Sequence, residues 1–246
     1  MKEEVDIQWL DKVDSTNNEA QRRISEIGNL SVIAAVHQTS GRGQRGNQWL
    51  THAGENLTFS MVVKFGDGGL TPLEANRQFA INRSVTLGVS DYLDSVGIEC
   101  AVKWPNDIYA GNRKICGILI ENTLHGQLIA SSVIGIGLNV NQKEFPPQLV
   151  NPVSMAILTG KEYDIRGELV KLCRCVRNRL HDLDGNKDEY VRRLYRYSVF
   201  HEYVVCSSGE SIKAKIIGVA DSGLLKIETE KGERIQFAFK EISYLI

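Results

Sequence analysis

The sequence predicts an α+β fold, in which helices cover a mixed sheet and a small module of short strands follows. Residues 57–65 alternate apolar and polar side chains, which is the period of a half-buried strand. Residues 73–93 carry apolar side chains at spacings of three and four, which predicts a helix long enough to cover one sheet face. Beyond Ser198 the pattern changes to short strands between turn residues. We therefore expect two domains, residues 1–197 and 198–246.

Composition restricts the possible classes of function. The 246 residues contain 29 Lys and Arg against 30 Asp and Glu, so the general positive charge of a nucleic-acid-binding protein is missing. The first residues form no apolar signal segment, and no run of 18 apolar residues occurs. The five cysteines form no close metal-like pair and are interpreted as reduced. A cytoplasmic protein that is neither secreted nor inserted into a membrane is expected.

The first predicted elements are a short edge strand at residues 7–13 and a helix that follows it. Thr16 with Glu19 three residues later matches a capping box, and Gly28 is expected to end the helix. A second short strand is predicted at residues 33–37. It runs directly through Gln38 into a glycine-rich segment.

That segment, residues 40–49, is a candidate phosphate cradle, called the glycine–arginine loop below. Its three glycines allow backbone N–H groups to converge on an anion, and Arg42 and Arg45 add charged donors. It matches neither the dinucleotide fingerprint nor the Walker pattern, because no amphipathic helix follows and no Lys-Ser or Lys-Thr closes it. A flexible surface loop, including one that touches RNA, explains the loop alone equally well.

A polar corner between two strands is the next candidate site. Residues 98–102 form a strand that ends at Lys103, and Pro105 cannot extend a central ladder. Gly111-Asn112 is a hairpin-type pair, after which residues 115–120 resume a buried strand. Lys103, Asn106, Asp107 and Lys114 are therefore expected on or beside one corner. For either lysine alone, a solvated strand cap is the simpler interpretation.

The remaining elements complete the predicted first domain. Residues 128–140 form a strand in which Gly135 and Gly137 are costly unless a ligand or another backbone comes close, or a bulge occurs. Three prolines make residues 145–152 irregular, and residues 167–198 carry two amphipathic helices interrupted at 184–186. The five histidines show no metal-ligand spacing.

Four motifs, taken together and in order, are similar to those of biotin–protein ligases. They are the glycine–arginine loop ending at Trp49, the Lys-Trp-Pro-Asn-Asp run at 103–107, Arg113-Lys114 with Gly117, and the Gly-Ile-Gly-Leu-Asn run at 135–139. The resemblance implies a class II aminoacyl-tRNA synthetase-like catalytic domain over residues 1–197 and an SH3-like barrel over 198–246. It implies a ligase that adenylates biotin and transfers it to a lysine of a biotin carboxyl carrier protein. Lipoate and octanoate ligases or transferases of the same fold are the alternative.

The resemblance and the chemistry of adenylation assign roles to individual residues. The residues expected to bind biotin are Ser15, Thr16, Asn17, Gln38, Gly41, Arg42, Arg45, Lys103, Gly117, Gly135 and Gly137. Those expected to bind the nucleotide are Arg42, Arg45, Trp49, Asn106, Lys114 and Asn139. The expected catalytic groups are Lys103 bridging the biotin carboxylate and the α-phosphate, Arg42 on the phosphates, and Asp107 orienting or deprotonating the acceptor amine.

Cofactors and partners follow from the same resemblance. ATP with Mg²⁺ is the expected cofactor, biotin the substrate and the biotin carboxyl carrier protein the macromolecular partner, and no protein metal ligands are assigned. DNA binding is not expected, because only about a dozen residues precede the Ser-Thr-Asn segment, too few for a helix-turn-helix. Family members occur as monomers and homodimers. Two departures from the family pattern are Gln44, where many relatives carry arginine, and Lys240, where a glycine is common.

Overall fold

Two sheets and five helices make up the part of the chain that the computed structural model describes, which is residues 5–245 apart from the side chain of Arg45. The first part contains β1 Ile7–Val13, α1 Thr16–Arg22, β2 Val32–Gln38, β3 Leu57–Lys64, β4 Leu73–Glu74, α2 Phe79–Ser95, β5 Ala101–Lys103, β6 Asp107–Ala110, β7 Arg113–His125, β8 Leu128–Leu138, α3 Met155–Thr159, α4 Ile165–Leu180 and α5 Lys187–Arg192. The second contains β9 Phe200–Val205, β10 Ser211–Val219, β11 Leu225–Thr229, β12 Arg234–Phe237 and β13 Ile242–Tyr244.

The first sheet is mixed, as predicted. Its strand order is β1-β2-β3-β8-β7-β6-β5, with β4 paired to β8 outside this path. β1 runs parallel to β2 and lies at the sheet edge, and the other neighbours are antiparallel. The hairpin predicted at Gly111-Asn112 joins β6 to β7, and Gly111 adopts the positive φ of 58° that such a turn favours.

β3 is buried on both faces, so the prediction of a half-buried strand was wrong. Phe59 and Met61 belong to the large hydrophobic core, whereas Val62 packs on the opposite face with Ala20 and Ile33. The alternation of polar residues is real, but α1 covers the face on which they lie. Thr58 and Ser60 are therefore buried polar groups rather than solvent-facing ones.

α1 differs from its prediction at both ends. Ser15 is the N-cap residue, and its side chain makes no capping hydrogen bond. Glu19 forms ion pairs with Arg22 and Arg23 instead of closing a capping box. The helix ends at Arg22, six residues before Gly28. The hydroxyl of Thr16 is directed away from the helix backbone to tertiary partners.

The helices on the other face follow the predicted spacing more closely. α2 begins at Phe79 rather than at residue 73, because Leu73–Glu74 pairs with β8, and it ends before Gly97, which has a φ of 79°. Gly88 allows α4 to approach closely, since a Cβ at this position would lie 2.5 Å from Val176 Cα. No described helix has the length and apolar character needed to cross a membrane.

The second sheet is antiparallel, with the order β12-β11-β10-β9-β13. It packs against the polar corner of the first sheet. The indole N–H of Trp104 donates to the Gly223 carbonyl oxygen at 2.9 Å, and its ring meets Phe239 edge-on at 6.1 Å. One continuous hydrophobic core includes side chains of both sheets.

Candidate functional site

A cleft opens where the N-terminus of α1, the end of β2, the glycine–arginine loop and the middle of β3, β7 and β8 meet. It is lined by Ser15, Thr16, Asn17, Gln38, Arg42, Gly43, Gln44, Asn47, Gln48, Trp49, Thr58, Phe59, Asn106, Asp107, Lys114, Gly117, Ile118, Leu119, Gly135, Ile136, Gly137 and Phe239. Twelve of the residues predicted from the sequence are therefore in one place: Ser15, Thr16, Asn17, Gln38, Arg42, Trp49, Asn106, Asp107, Lys114, Gly117, Gly135 and Gly137.

One end of the cleft is a network of neutral hydrogen-bonding groups. Gln38 Oε1 accepts from the backbone N–H of Thr16 at 2.8 Å and from its hydroxyl at 3.2 Å. The Ser60 hydroxyl lies 2.8 Å from that of Thr16 and donates to Asn17 Oδ1 at 2.6 Å. These groups are held by one another, so an incoming polar ligand meets a preorganised surface.

Gly135 and Gly137 occur in β8 because side chains from other elements approach the strand closely at these two positions. A bulge is not the reason, since β7 and β8 pair there without a register shift. A Cβ on Gly135 would lie 2.2 Å from Asn17 Oδ1, and one on Gly137 would lie 2.3 Å from Trp49 Cε2. A Cβ on Gly117 would lie 2.9 Å from the same indole. The glycines thus make room for two site side chains, and no bulge is present at them.

The glycine–arginine loop is folded back on itself rather than open. Arg42 bridges to Gln48, and the Trp49 N–H donates to the Gly41 carbonyl oxygen at 2.9 Å. Gly41 is required here because a Cβ would lie 2.3 Å from the Trp49 carbonyl oxygen. Gly41 therefore shapes the loop and does not line the cleft. The indole nitrogen of Trp49 is buried and has no hydrogen-bond partner among the described residues.

The other end of the cleft carries charge. The Lys114 ammonium is 2.7 Å from an Asp107 carboxylate oxygen and 5.8 Å from the centre of the Trp49 ring. Asn106 is buried and donates its side-chain amide to the carbonyl oxygen of Ile118, which fixes the corner against β7. A cation and a carboxylate are consequently held side by side at the edge of the cleft.

Lys103 does not lie among the described residues that line the cleft. Its ammonium contacts the Tyr109 hydroxyl at 3.2 Å and lies 4.9 Å and 5.2 Å from the ring centres of Tyr109 and Tyr244. Burial lowers the pKa of Lys103, and Asp107 partly offsets this effect. The corner thus separates its two lysines: Lys114 reaches the cleft, and Lys103 is enclosed between aromatic rings of the two sheets.

Three further expectations concern Asn139, Arg45 and Arg42. Asn139 is buried and donates to the Val153 carbonyl oxygen at 3.0 Å, so it anchors the chain beyond β8 and does not reach the cleft. The Arg45 side chain lies outside the described part of the structure, and its role stays a prediction. Arg42 lines the cleft, but its guanidinium is paired with Glu121 at 2.7 Å.

Several site residues were missed from the sequence. Thr58 and Ser60 could have been found, since polar residues in a strand that must cross the core indicate buried partners. The sequence around Glu121 and Phe239 gives no comparable indication. Glu121 pairs with Arg42 of a loop that is distant in sequence, and Phe239 reaches the cleft from the second part of the chain. Lys240, beside Phe239, has a φ of 73°, the conformation for which glycine is suited.

No group of three or more His, Cys, Asp or Glu within residues 5–245 could hold a metal ion. Asp107 is the carboxylate among the described residues that line the cleft.

The chain matches the sequence model of the Biotin/lipoate A/B protein ligase family over residues 9–139. It is 28% identical over 239 residues to the biotin--[acetyl-CoA-carboxylase] ligase of Paracoccus denitrificans, which covers 92% of this chain and 95% of that protein. It is 27% identical over 235 residues to the bifunctional ligase/repressor BirA of Bacillus spizizenii, covering 91% of this chain and 70% of the relative.

Other relatives are matched over a smaller part of their length. The identity to Escherichia coli BirA is 35% over 145 residues, and the chain spans 43% of that protein. Among solved structures, the Aquifex aeolicus biotin protein ligase in complex with biotin and ATP aligns with a TM-score of 0.77 at 25% identity, over 97% of both chains.

Proposed function

Because the chain belongs to the biotin/lipoate A/B protein ligase family, we propose that it is a biotin–protein ligase that uses ATP to attach biotin to a carrier protein. One observation carries this proposal. The fold aligns over 97% of both chains with a ligase bound to biotin and ATP, and its cleft has a neutral hydrogen-bonding end and a charged end. Such a cleft suits a ligand with a polar uncharged head and a carboxylate tail.

The neutral end is assigned to the biotin head group. A ureido group offers both N–H donors and a carbonyl acceptor, and the side chains of Thr16, Asn17 and Gln38 offer complementary groups. Because Thr16 already bonds to Gln38, and Asn17 to Ser60 and Glu121, little ordering is needed when the ligand binds. Gly135 and Gly137 keep the floor beneath them free of side chains.

The charged end is assigned to adenylation. The biotin carboxylate is ionised at neutral pH, so it attacks the α-phosphorus of ATP without a general base, and diphosphate leaves with the electron pair of the broken P–O bond. The protein must offset the charge of two approaching anions. We assign this role to Lys114 rather than to Lys103, because the Lys114 ammonium lies at the cleft. Arg42, which lines the cleft and is paired with Glu121 beside Asn17, is assigned as the second cation.

The transfer step breaks the mixed anhydride. The amine of the carrier lysine attacks the acyl carbon of biotinyl-AMP, an amide bond forms and AMP leaves. The amine has a reference pKa near 10.4, so it must lose a proton first. Asp107, held 2.7 Å from Lys114, is the carboxylate that we assign to orient or deprotonate it.

Mg²⁺ is proposed to enter with the ATP phosphates, which fits a cleft with one carboxylate in its described lining. The metal would supply charge neutralisation. The finer architecture is likewise proposed by resemblance: a class II synthetase-like domain over residues 1–197, an SH3-like barrel over 198–246, and a cytoplasmic location.

The test is ATP–diphosphate exchange by the purified chain, with biotin, lipoate and octanoate offered separately. Exchange isolates the adenylation step and needs no carrier. We expect exchange with biotin alone, followed by one biotin per molecule on an added carrier domain, measured by intact mass. Exchange with lipoate or octanoate instead would assign the chain to the sister activity of its family. Exchange with none of the three acids would overturn the proposal.

A further inference from the structure

Glu121 in β7 is the centre of a hydrogen-bond network next to the cleft, although it is not among the residues that line it. Its Oε1 accepts from Arg42 Nη2 at 2.7 Å, and its Oε2 accepts from Arg42 Nη1 at 3.1 Å. Oε2 also accepts from Asn17 Nδ2 at 2.9 Å. One carboxylate therefore holds a two-pronged contact to the loop arginine and a third contact to a buried amide.

The two partners of Glu121 differ greatly in exposure to solvent. Asn17 is 3% exposed, its Oδ1 accepts from Ser60, and it lies against Gly135. Arg42 projects from the glycine–arginine loop with a side chain that is 42% exposed. Glu121 in β7 thus connects an exposed arginine on a loop to a buried amide of α1.

We propose that Glu121 is a positioning residue, whose carboxylate fastens Arg42 and the glycine–arginine loop to the buried Asn17 of α1. The role of Arg42 toward phosphate rests on the proposed function, whereas the fastening itself does not.

The pairing leaves Arg42 able to bind an anion. A guanidinium has five N–H donors. Among the described residues, two from Nη1 go to Asn18 and Glu121 and one from Nη2 goes to Glu121. The Nε–H and the second Nη2 hydrogen remain for phosphate oxygens. Glu121 accordingly fixes the plane of the guanidinium without consuming all of its donors, which is how preorganised cations gain effectiveness.

An ion pair that only stabilises the fold is the competing explanation. If the pair served stability alone, Glu121→Gln would lower the unfolding temperature slightly, because such ion pairs contribute little, and would leave loop cleavage and the KM for ATP unchanged. Loss of positioning should instead loosen the loop and weaken the use of ATP. The two explanations therefore differ in what is measured.

The experiment uses Glu121→Gln, which retains the size of the side chain. Arg42 and Asn17 both present N–H donors to this carboxylate, and the new amide group would face one of them with a donor of its own. The matched control is Glu228→Gln, since Glu228 is also partly buried and paired with two cations, Lys215 and Arg234, on the second sheet.

The first measurement is limited trypsin digestion of the full chain without ligands. Trypsin cleaves after Arg42 and Arg45, and cleavage after the exposed Lys231 in the β11–β12 turn serves as the internal reference. We expect Glu121→Gln to raise cleavage at the two loop bonds about tenfold relative to the reference, because a charge-assisted contact is lost. The Glu228→Gln protein should behave as wild type. Unchanged cleavage of the loop in Glu121→Gln would overturn the proposal.

The second measurement is the ATP–diphosphate exchange with biotin. We expect Glu121→Gln to raise the KM for ATP about tenfold while the unfolding temperature stays near that of wild type. Unchanged KM and kcat would also overturn the positioning role. If wild type shows no exchange with biotin, the proposed function fails, and the digestion still decides whether the loop is fastened. Should Glu121→Gln fold poorly by circular dichroism, Glu121→Asp repeats both measurements with the same expected directions and the same contrary outcomes.

Discussion

Two lysines at one corner of the sheet have different surroundings and should have different roles. Lys114 faces Asp107 and the Trp49 ring at the edge of the cleft, whereas Lys103 is enclosed by Tyr109 and Tyr244. A preorganised cation at the reacting phosphate acts directly on charge developing in the transition state. Lys103, partly buried between the two rings, is assigned to holding the corner in place, and its bridging role stays a prediction.

Alanine substitution of each lysine separates these roles. We expect Lys114→Ala to lower the rate of biotin-dependent ATP–diphosphate exchange by about two to three orders of magnitude, as loss of one preorganised donor typically does. Lys103→Ala should have the smaller effect on exchange. Circular dichroism of both proteins provides the folding control. A larger loss in Lys103→Ala than in Lys114→Ala would restore the bridging role expected for Lys103 from the sequence.

The five cysteines also differ by environment. Cys116 and Cys173 are buried, and Cys206 is exposed. Burial raises the pKa of the Cys100 thiol to about 11 and also raises the pKa of the partly buried Cys175 thiol. The thiolate is the reactive form, so burial keeps the Cys100 side chain mainly in its unreactive, protonated form at pH 8.

We therefore expect Cys206 to be alkylated first when the folded protein is treated with iodoacetamide at pH 8. Intact mass should show one adduct before any other, and peptide mapping should locate it at residue 206. Cys206→Ser provides the control and should remove this early adduct. If Cys100 were labelled as fast as Cys206, this result would contradict the burial of the Cys100 thiol.

At the scale of elements, the paired strands β7 and β8 form the floor of the cleft because glycines replace side chains at the points where Asn17 and Trp49 approach. The two side chains should respond differently to an added Cβ. Asn17 is buried and hydrogen-bonded, so it cannot yield easily, whereas Trp49 belongs to a loop.

This difference predicts the effects of Gly135→Ala and Gly137→Ala. Gly135→Ala should displace Asn17 and raise the KM for biotin by about tenfold or more, the cost of losing one buried hydrogen-bonding group. Gly137→Ala should displace the Trp49 ring and shift the tryptophan emission of the free protein to longer wavelength, with Trp49→Phe identifying the source of the shift. An unshifted emission in Gly137→Ala would show that the indole does not lie on this glycine.

At the scale of the whole molecule, the two sheets share one hydrophobic core. Val219, Leu225 and Ile227 of the second sheet belong to the same cluster as the core of the first. Trp104 adds a hydrogen bond to Gly223, and Asp221 forms ion pairs with Arg83 and Lys187. Separating the sheets would expose apolar surface on both.

We expect the full chain to unfold in urea in a single transition, with coincident midpoints by far-ultraviolet circular dichroism and by tryptophan fluorescence. The tryptophans report mainly on the first sheet and its contact with the second, whereas circular dichroism reports on both sheets. Trp104→Phe, which removes the bond to Gly223, should lower the midpoint for both signals together. Two separate transitions would show that residues 198–246 unfold independently.

The local pattern of residues in the sequence was sufficient to predict most helices and strands and the general position of the site. Strand periods, the turn at Gly111-Asn112 and the helix spacing of α2 depend on neighbouring residues, and so they could be predicted from the sequence. The four motifs also contain eight of the twelve predicted residues that line the cleft, and the family resemblance supplied the other four, Ser15, Thr16, Asn17 and Gln38. The predicted capping box of α1 was wrong, because the Thr16 hydroxyl bonds to Gln38 instead. The predicted half-buried state of β3 was also wrong, because α1 covers the second face of the sheet.

The sequence by itself determined the order of strands and helices along the chain, the residue types of the site and the resemblance to a ligase family. Only the tertiary structure decided that Lys114 rather than Lys103 reaches the cleft, that Phe239 enters it from the second sheet, and that Glu121 holds Arg42. The reason is physical: Glu121 and Arg42 are 79 positions apart, and the direction of a side chain at a strand end depends on what packs beside it. Contacts of this kind leave no periodic trace in the sequence.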